Sequence, residues 1–316
     1  MEEIIKKEYE TLVKYYEASG GNSGALLSTE YASMIINGDR VLAKNSTRGI
    51  KIITRRIKDG VSAQIVIKRG YKSKNPVHLC FGMLPREGRQ VIRTKIIAEE
   101  SSEAKFIAHC IFPNAVKIEH VMDSRVFVGK NAKVEYEETH YHGKTGGVRV
   151  LPKTRAIVAE GGEYNSSFVI KSGRVGFINI DYEVKLDERA KSMLVSKIYG
   201  KEDDEIIAKE SIILNGPHSS GVVKTRMALK NNAKSKVIGK TIGIGEYSRG
   251  HVDCTEIIMD NAKAEASPVV MAVNPRAKVT HEAAIGSVDK KQLITLMTRG
   301  LTEEQAIDII VQGLLK

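Results

Sequence analysis

A chain of 316 residues with 42% hydrophobic and 28% charged residues has globular composition, enough for one large domain or two modest ones, and is unlike a disordered, collagenous or low-complexity sequence. Its 49 Lys and Arg against 38 Asp and Glu leave a formal charge of +11, but the cations are interleaved with carboxylates and aromatics are only 5%, which argues against a nucleic-acid partner. No apolar run approaches the roughly 18 residues of a membrane span, the first residues lack a signal-peptide pattern, and the three cysteines include no C-x-x-C pair, so a cytoplasmic protein without a disulfide framework or membrane segment is expected.

Residues 1–19 read as an amphipathic helix, with Ile4, Ile5, Tyr9, Leu12, Val13 and Tyr16 at helical spacing before the Gly20-Gly21-Asn22-Ser23-Gly24 breaker. A second short helix is expected from Ser28-Thr29-Glu30 to Asn37-Gly38-Asp39. From Arg40 the pattern changes to short strands rich in Val, Ile and Thr, such as Lys51-Ile52-Ile53-Thr54 and Ala63-Gln64-Ile65-Val66-Ile67, broken by Gly, Asn and Asp turns. An Ala-Lys pair after a turn residue recurs at Ala132, Ala190, Ala233, Ala262 and Ala277. The spacings of 58, 43, 29 and 15 residues are close to four, three, two and one multiples of a unit of about 14.5. Two such units make a rung of roughly 29 residues, so 40–286 is read as a mainly β, parallel β-helix core, with stacked rungs about 4.8 Å apart. A narrow core of small aliphatic side chains accounts for the scarcity of aromatics; two β-sandwich domains are the alternative. Helical periodicity returns at Asp289. One helix carries Leu293, Ile294, Leu296 and Met297 and ends at Arg299-Gly300, and a capping box, Thr302 with Gln305, opens another that presents Ala306, Ile307, Ile309, Ile310 and Leu314. This terminal helical hairpin is apolar enough to cap the solenoid, dock a partner, or both.

Among the chemistry-bearing motifs, Gly239-Lys240-Thr241 lacks the first glycine of a P-loop and sits inside the strand repeat, so any ATP site belongs to a partner. Glu138, His140 and His142 share one face of a strand, as a metal site or as a polar strand face. Cys80 and Cys110 lie in apolar strand sequence and read as buried structural thiols. Cys254 lies in the polar stretch His251-Val252-Asp253-Cys254-Thr255-Glu256, and Glu282 follows it at close to one rung. A β-helix then stacks the His281-Glu282 pair next to Cys254; the other reading is a surface cysteine near a salt-bridged Glu. One chain supplies one thiolate there, whereas an iron-sulfur cluster needs about four ligands, which a two-fold dimer meeting at this edge would provide.

The stretch Asn274-Pro275-Arg276-Ala277-Lys278-Val279-Thr280-His281-Glu282-Ala283, followed by Asp289-Lys290-Lys291-Gln292-Leu293 and Arg299-Gly300-Leu301-Thr302-Glu303-Glu304-Gln305-Ala306, strongly resembles the C-terminal signature of the SufB/SufD family of iron-sulfur cluster assembly scaffolds. The resemblance implies a right-handed parallel β-helix between a helical N-terminal segment (1–39) and a C-terminal helical domain (287–316). It implies a non-catalytic scaffold whose terminal helices, with Leu293, Leu296, Met297, Ile307 and Ile310, dock a SufC-type ABC ATPase. It implies pairing as a homodimer through the β-helix, and Cys254, His281 and Glu282 as the residues that hold a transient iron-sulfur cluster, the four-iron four-sulfur form being favoured, before transfer to apo-iron-sulfur proteins. A SufD-like partner that binds the ATPase and a B-type chain without holding a cluster is the alternative. The chain departs from bacterial SufB in its shortness, in Thr280 where a further Glu is common, and in having no cysteine between Cys110 and Cys254.

Overall fold

The computed structural model describes residues 2–316, and its body is a β-solenoid of about eight turns. From the strand Gly60–Ile67 to the strand Lys263–Ala266, successive strands alternate between two ten-stranded sheets, and within each sheet neighbours from successive turns pair in parallel. Cys110 stands beside His140 in the early turns, Ser166 beside Leu194 in the middle and Thr225 beside Cys254 later, so the rung drifts by a residue either way along the solenoid. The expected two-unit rung is therefore present, and the pair of β-sandwiches is not.

Side chains alternate between the interior and the outside along each strand, as in Lys133–His142, where Val134, Tyr136, Glu138, His140 and His142 are buried. The core fills the space between the two sheets with stacked Ile, Val, Leu and Ala. Non-glycine residues hold the corners in the left-handed region: Ser101, Asn131, Arg189, His218 and Tyr247 all have φ between 53° and 58°. At Ser101, Asn131, Arg189 and His218 the amide donates to a carbonyl of the next turn, Asn131 to Glu160 and Arg189 to Pro217. The recurring turn residues are thus the visible edge of a hydrogen-bonded corner ladder.

Helix α1 (Glu2–Ala18) lays Leu12 and Tyr16 on the outer face of the first sheet, over Ile35, Cys80 and Ile111. The Tyr16 hydroxyl meets His78 Nδ1 at 2.7 Å, and the Ser19 hydroxyl meets His109 Nδ1 at 2.6 Å. Helix α2 is Ser23–Leu27, with Asn22 as its N-cap. The helix expected after Ser28 is instead a fully buried strand, Ser33–Asn37, because Met34-Ile35-Ile36 has sheet partners on both edges and an apolar neighbour on each face. Two antiparallel pairings, Ser33–Asn37 with Arg40–Asn45 and Ile50–Ile57 with Gly60–Ile67, close the N-terminal end.

At the other end, α3 (Lys290–Met297) is capped by Asp289, and Gly300 at φ 91° ends the connection; α4 (Glu303–Leu314) starts at the Thr302–Gln305 capping box. Helix α4 does not cap the solenoid. Its Val311, with Leu315 just beyond it, packs beside Tyr199 and Ala228, outward residues that are buried at the margin of the first sheet.

Candidate functional site

Cys254 lies on the strand Arg249–Ile258, the last whose inward side chains are well covered, and is itself 3% exposed. Its thiol donates to Glu256 Oε1 at 3.7 Å, while Glu256 also accepts from the Ser235 hydroxyl. Burial, and then the neighbouring Glu256 charge, push this thiol up to about 12, so at neutral pH it is protonated. It is a core residue rather than the surface cysteine of the alternative reading.

The terminal strand Lys278–Gly286 pairs with Cys254's strand, and its register puts His281 beside Val252, Glu282 beside Asp253 and Ala283 beside Cys254. The rung here is one residue longer than the spacing from Cys254 to Glu282, and a one-residue slip exchanges the two faces of a strand. His281 therefore stands level with Val252, two residues along from Cys254, whereas Glu282 pairs with Asp253. Because side chains alternate, Val252 and Cys254 point inward together, and His281 shares their side of the sheet while Glu282 shares Asp253's outward side. Asp253 forms a two-pronged pair with Arg226, at 2.8 and 2.5 Å. The structure brings Cys254 and His281 to one side and leaves Glu282 on the other.

A second constellation lies deeper. Cys110, Glu138 and His140 are buried, with one ligand atom from each within 4.8 Å of the others. Burial raises the Glu138 carboxyl to about 7, drives the Cys110 thiol well up and lowers both His140 and His142 to about 3. The sequence put Glu138, His140 and His142 on one face but did not join them to Cys110. The signal was available, since His140 follows Cys110 by a single early rung. Cys80, by contrast, belongs to the outer face beneath α1.

Of the terminal-helix residues, Leu296 and Ile310 line an apolar groove between α3 and α4, together with Thr295, Ile309, Gly313 and Leu314. Met297 is exposed and Leu293 half-buried. Ile307 is turned the other way, packing with Met259 against the solenoid's own flank, so it supports the hairpin rather than facing outward. No helix among the described residues is long and apolar enough to cross a membrane.

Residues 83–314 match the family profile described as SUF system FeS cluster assembly, SufBD core domain. The chain is 36% identical over 312 residues to an iron-sulfur cluster assembly SufBD family protein of Methanocaldococcus jannaschii, covering 98% of each chain. It is 36% identical over 309 residues to one of Pyrococcus horikoshii, covering 98% of this chain and 94% of that one. A Staphylococcus epidermidis protein of the same name is 26% identical over 260 residues, 80% of this chain and 54% of its own.

Proposed function

This chain belongs to the SufBD family of iron-sulfur cluster assembly proteins, and from that premise we propose that it is a non-catalytic scaffold on which an iron-sulfur cluster is built as cargo and passed to apo-proteins. The observation that carries the reading is the uncovered terminal strand Lys278–Gly286, which bears His281 and Glu282 and runs directly beside Cys254. An exposed edge strand offers unpaired backbone groups to a second copy. A two-fold pairing at this end, with the terminal strands moved aside, gathers Cys254 and His281 from both copies, the roughly four ligands a cluster needs. Mixed ligation of this kind holds cargo less firmly than four thiolates, which suits transfer.

Cys254 is covered in the closed chain, so loading requires the terminal strand to move. That strand is followed closely by α3, and the groove between α3 and α4 is the proposed seat of a SufC-type ATPase. A pull on the hairpin is thereby transmitted to the strand paired beside that of the thiol, which gives ATP turnover in the partner a route to the loading site. The second reading, a SufD-like structural partner, is favoured by one observation, the opposite facing of Cys254 and Glu282.

The test is iron and acid-labile sulfide content, with the visible spectrum, of the chain prepared anaerobically with its ATPase partner, as the native sequence and as Cys254→Ala. The scaffold reading expects a cluster in the native complex and its loss in the variant. No cluster in either after reconstitution transfers the assignment to the structural-partner reading, and equal cluster content in both moves the site from Cys254 to Cys80 and Cys110.

A further inference from the structure

The Cys110 constellation is independent of that loading site. Along the first sheet, Cys110 and Cys254 are separated by five strand steps, about 24 Å at the usual spacing. Cys110 Sγ lies 3.8 Å from Glu138 Oε1 and 3.7 Å from His120 Nε2, the latter reaching in from the opposite sheet. His140 Nε2 is 2.7 Å from Glu138 Oε1. In a tetrahedral site with bonds of about 2.0–2.3 Å, the ligand atoms stand about 3.4–3.6 Å apart. The sulfur distances are already near that value, the Glu138–His140 pair has to open by less than about 1 Å, and His120, which reaches Cys110 but lies outside the group of three, has to swing in toward the other two ligands.

A relay fixes the state of His140. The Arg174 carbonyl can only accept, so His142 Nδ1, 2.9 Å away, carries a proton and donates it. His142 Nε2 then accepts from His140 Nδ1 at 3.2 Å, which leaves His140 Nε2 as a bare lone pair aimed at Glu138 and Cys110. A ring nitrogen set by a hydrogen bond from the opposite nitrogen is the arrangement metal-ligating histidines use. The anchor is itself built: Asp204, fully buried, accepts from the Val175 and Gly176 amides at 2.9 and 2.8 Å and from Arg174 Nε at 3.0 Å, locking the turn that presents the Arg174 carbonyl. Gly173 in the same turn, at φ 77°, passes so close to the His142 carbonyl that an added Cβ would lie 2.1 Å from it. His120 Nδ1 has no hydrogen-bond partner among the described residues, an uncompensated polar atom in the core.

We propose that Cys110, Glu138 and His140, with His120 as fourth ligand, bind one divalent transition-metal ion of the borderline class, Fe2+ or Zn2+, inside the solenoid. A thiolate and a carboxylate sum with a divalent cation to zero charge, which is what a site without water must reach. One thiolate with imidazoles and a carboxylate suits iron(II) or zinc rather than the all-oxygen sets of magnesium and calcium. The incoming ion displaces the Cys110 thiol proton and the proton shared by Glu138 and His140, and both leave with the solvent.

The probe is Co2+ added anaerobically to the metal-stripped full-length chain. One equivalent is expected, with the thiolate-to-cobalt charge-transfer absorption and the ligand-field pattern of a four-coordinate ion. Cys110→Ala should abolish the charge-transfer band, Glu138→Gln should weaken cobalt binding by about tenfold or more, and Cys254→Ala should keep both band and stoichiometry. Competition with Fe2+ and with Zn2+ then ranks the two ions. Absence of stoichiometric uptake, a band that persists in Cys110→Ala, or a band lost in Cys254→Ala overturns the proposal. Should Cys110→Ala fail to fold, Glu138→Gln, which preserves shape, decides alone. The cluster experiment reads Cys254 and this one reads Cys110, so either reading can fail without the other.

Discussion

Glu210 is a carboxyl placed among side chains rather than water, and its surroundings set a pH dependence. Ser196 donates to it at 2.9 Å and Thr225 at 3.2 Å, yet burial outweighs both and raises its pKa to about 7. Glu256, also raised by burial, and the Cys254 thiol belong to the same neighbourhood. The folded chain therefore holds a proton on Glu210 that the unfolded chain, near 4.5, has given up, and stability falls as pH rises from about 4.5 to about 7. The effect of this one group is on the order of 3 kcal/mol across that window. Urea unfolding at pH 5 and pH 8 should show Glu210→Gln narrowing the gap between the two pH values by stabilising the chain at pH 8, and an unchanged gap would remove Glu210 as its source. At this scale the sequence was legible to within one residue. The spacings from Cys254 to Glu282 and from Cys110 to His140 both lie near the repeat, but the local rung matches the second and overshoots the first, so one pair are neighbours and the other are not. A periodicity averaged over many turns does not carry the single residue on which facing depends.

Among the elements, the terminal hairpin divides its apolar surface between two tasks. Val311 and Leu315 are spent on the flank of the solenoid, while Leu296 and Ile310 border the open groove. Replacing groove residues, Leu296→Glu with Ile310→Glu, should weaken binding of a SufC-type ATPase by at least about tenfold while the melting temperature of the chain alone changes little. Calorimetric titration paired with thermal unfolding checks this, and unaltered ATPase affinity would move the docking site elsewhere. The capping box and the glycine stop were readable because those signals are local and chemical. The segment Ser33–Asn37 reads locally as part of a helix and is a strand, because its preference is decided by sheet partners on both sides, which no local pattern contains. Ile307, which the resemblance counts among the ATPase-docking residues, packs on the solenoid flank, because several apolar residues in one helical turn do not say which of them meets the body of the protein.

For the molecule as a whole, stability is distributed by turns, each held by its neighbours. The terminal strand has one such neighbour, with most of its side chains exposed, whereas a strand such as Ser220–Leu229 has one on either side and a full inner face. Hydrogen exchange followed by mass spectrometry should find Lys278–Gly286 exchanging at least about a hundredfold faster than Ser220–Leu229. Uniform protection from end to end would contradict both that gradient and the terminal-strand opening on which loading of Cys254 depends. The architecture was the most legible level of all, because the turn spacing repeats often enough to be measured from the sequence itself.

The two ends of the solenoid are unlike. The early end finishes in antiparallel strands whose margins carry Lys44 on one sheet and Lys51 and Arg55 on the other, beside Arg40 and Arg56, which are paired with Glu8 and Asp39, while the first sheet's late end is a bare strand. Cations of one sign along a margin repel another copy of the same margin, and such residues are the usual guard against edge-to-edge growth. A rod with one adhesive tip and one blunted tip is a chain terminator for itself. In the proposed tip-to-tip union the open edges of both partners are consumed, so assembly would stop at two and not lengthen into a fibre, even though every rung is built from the kind of strand that, left open at both ends, would polymerise.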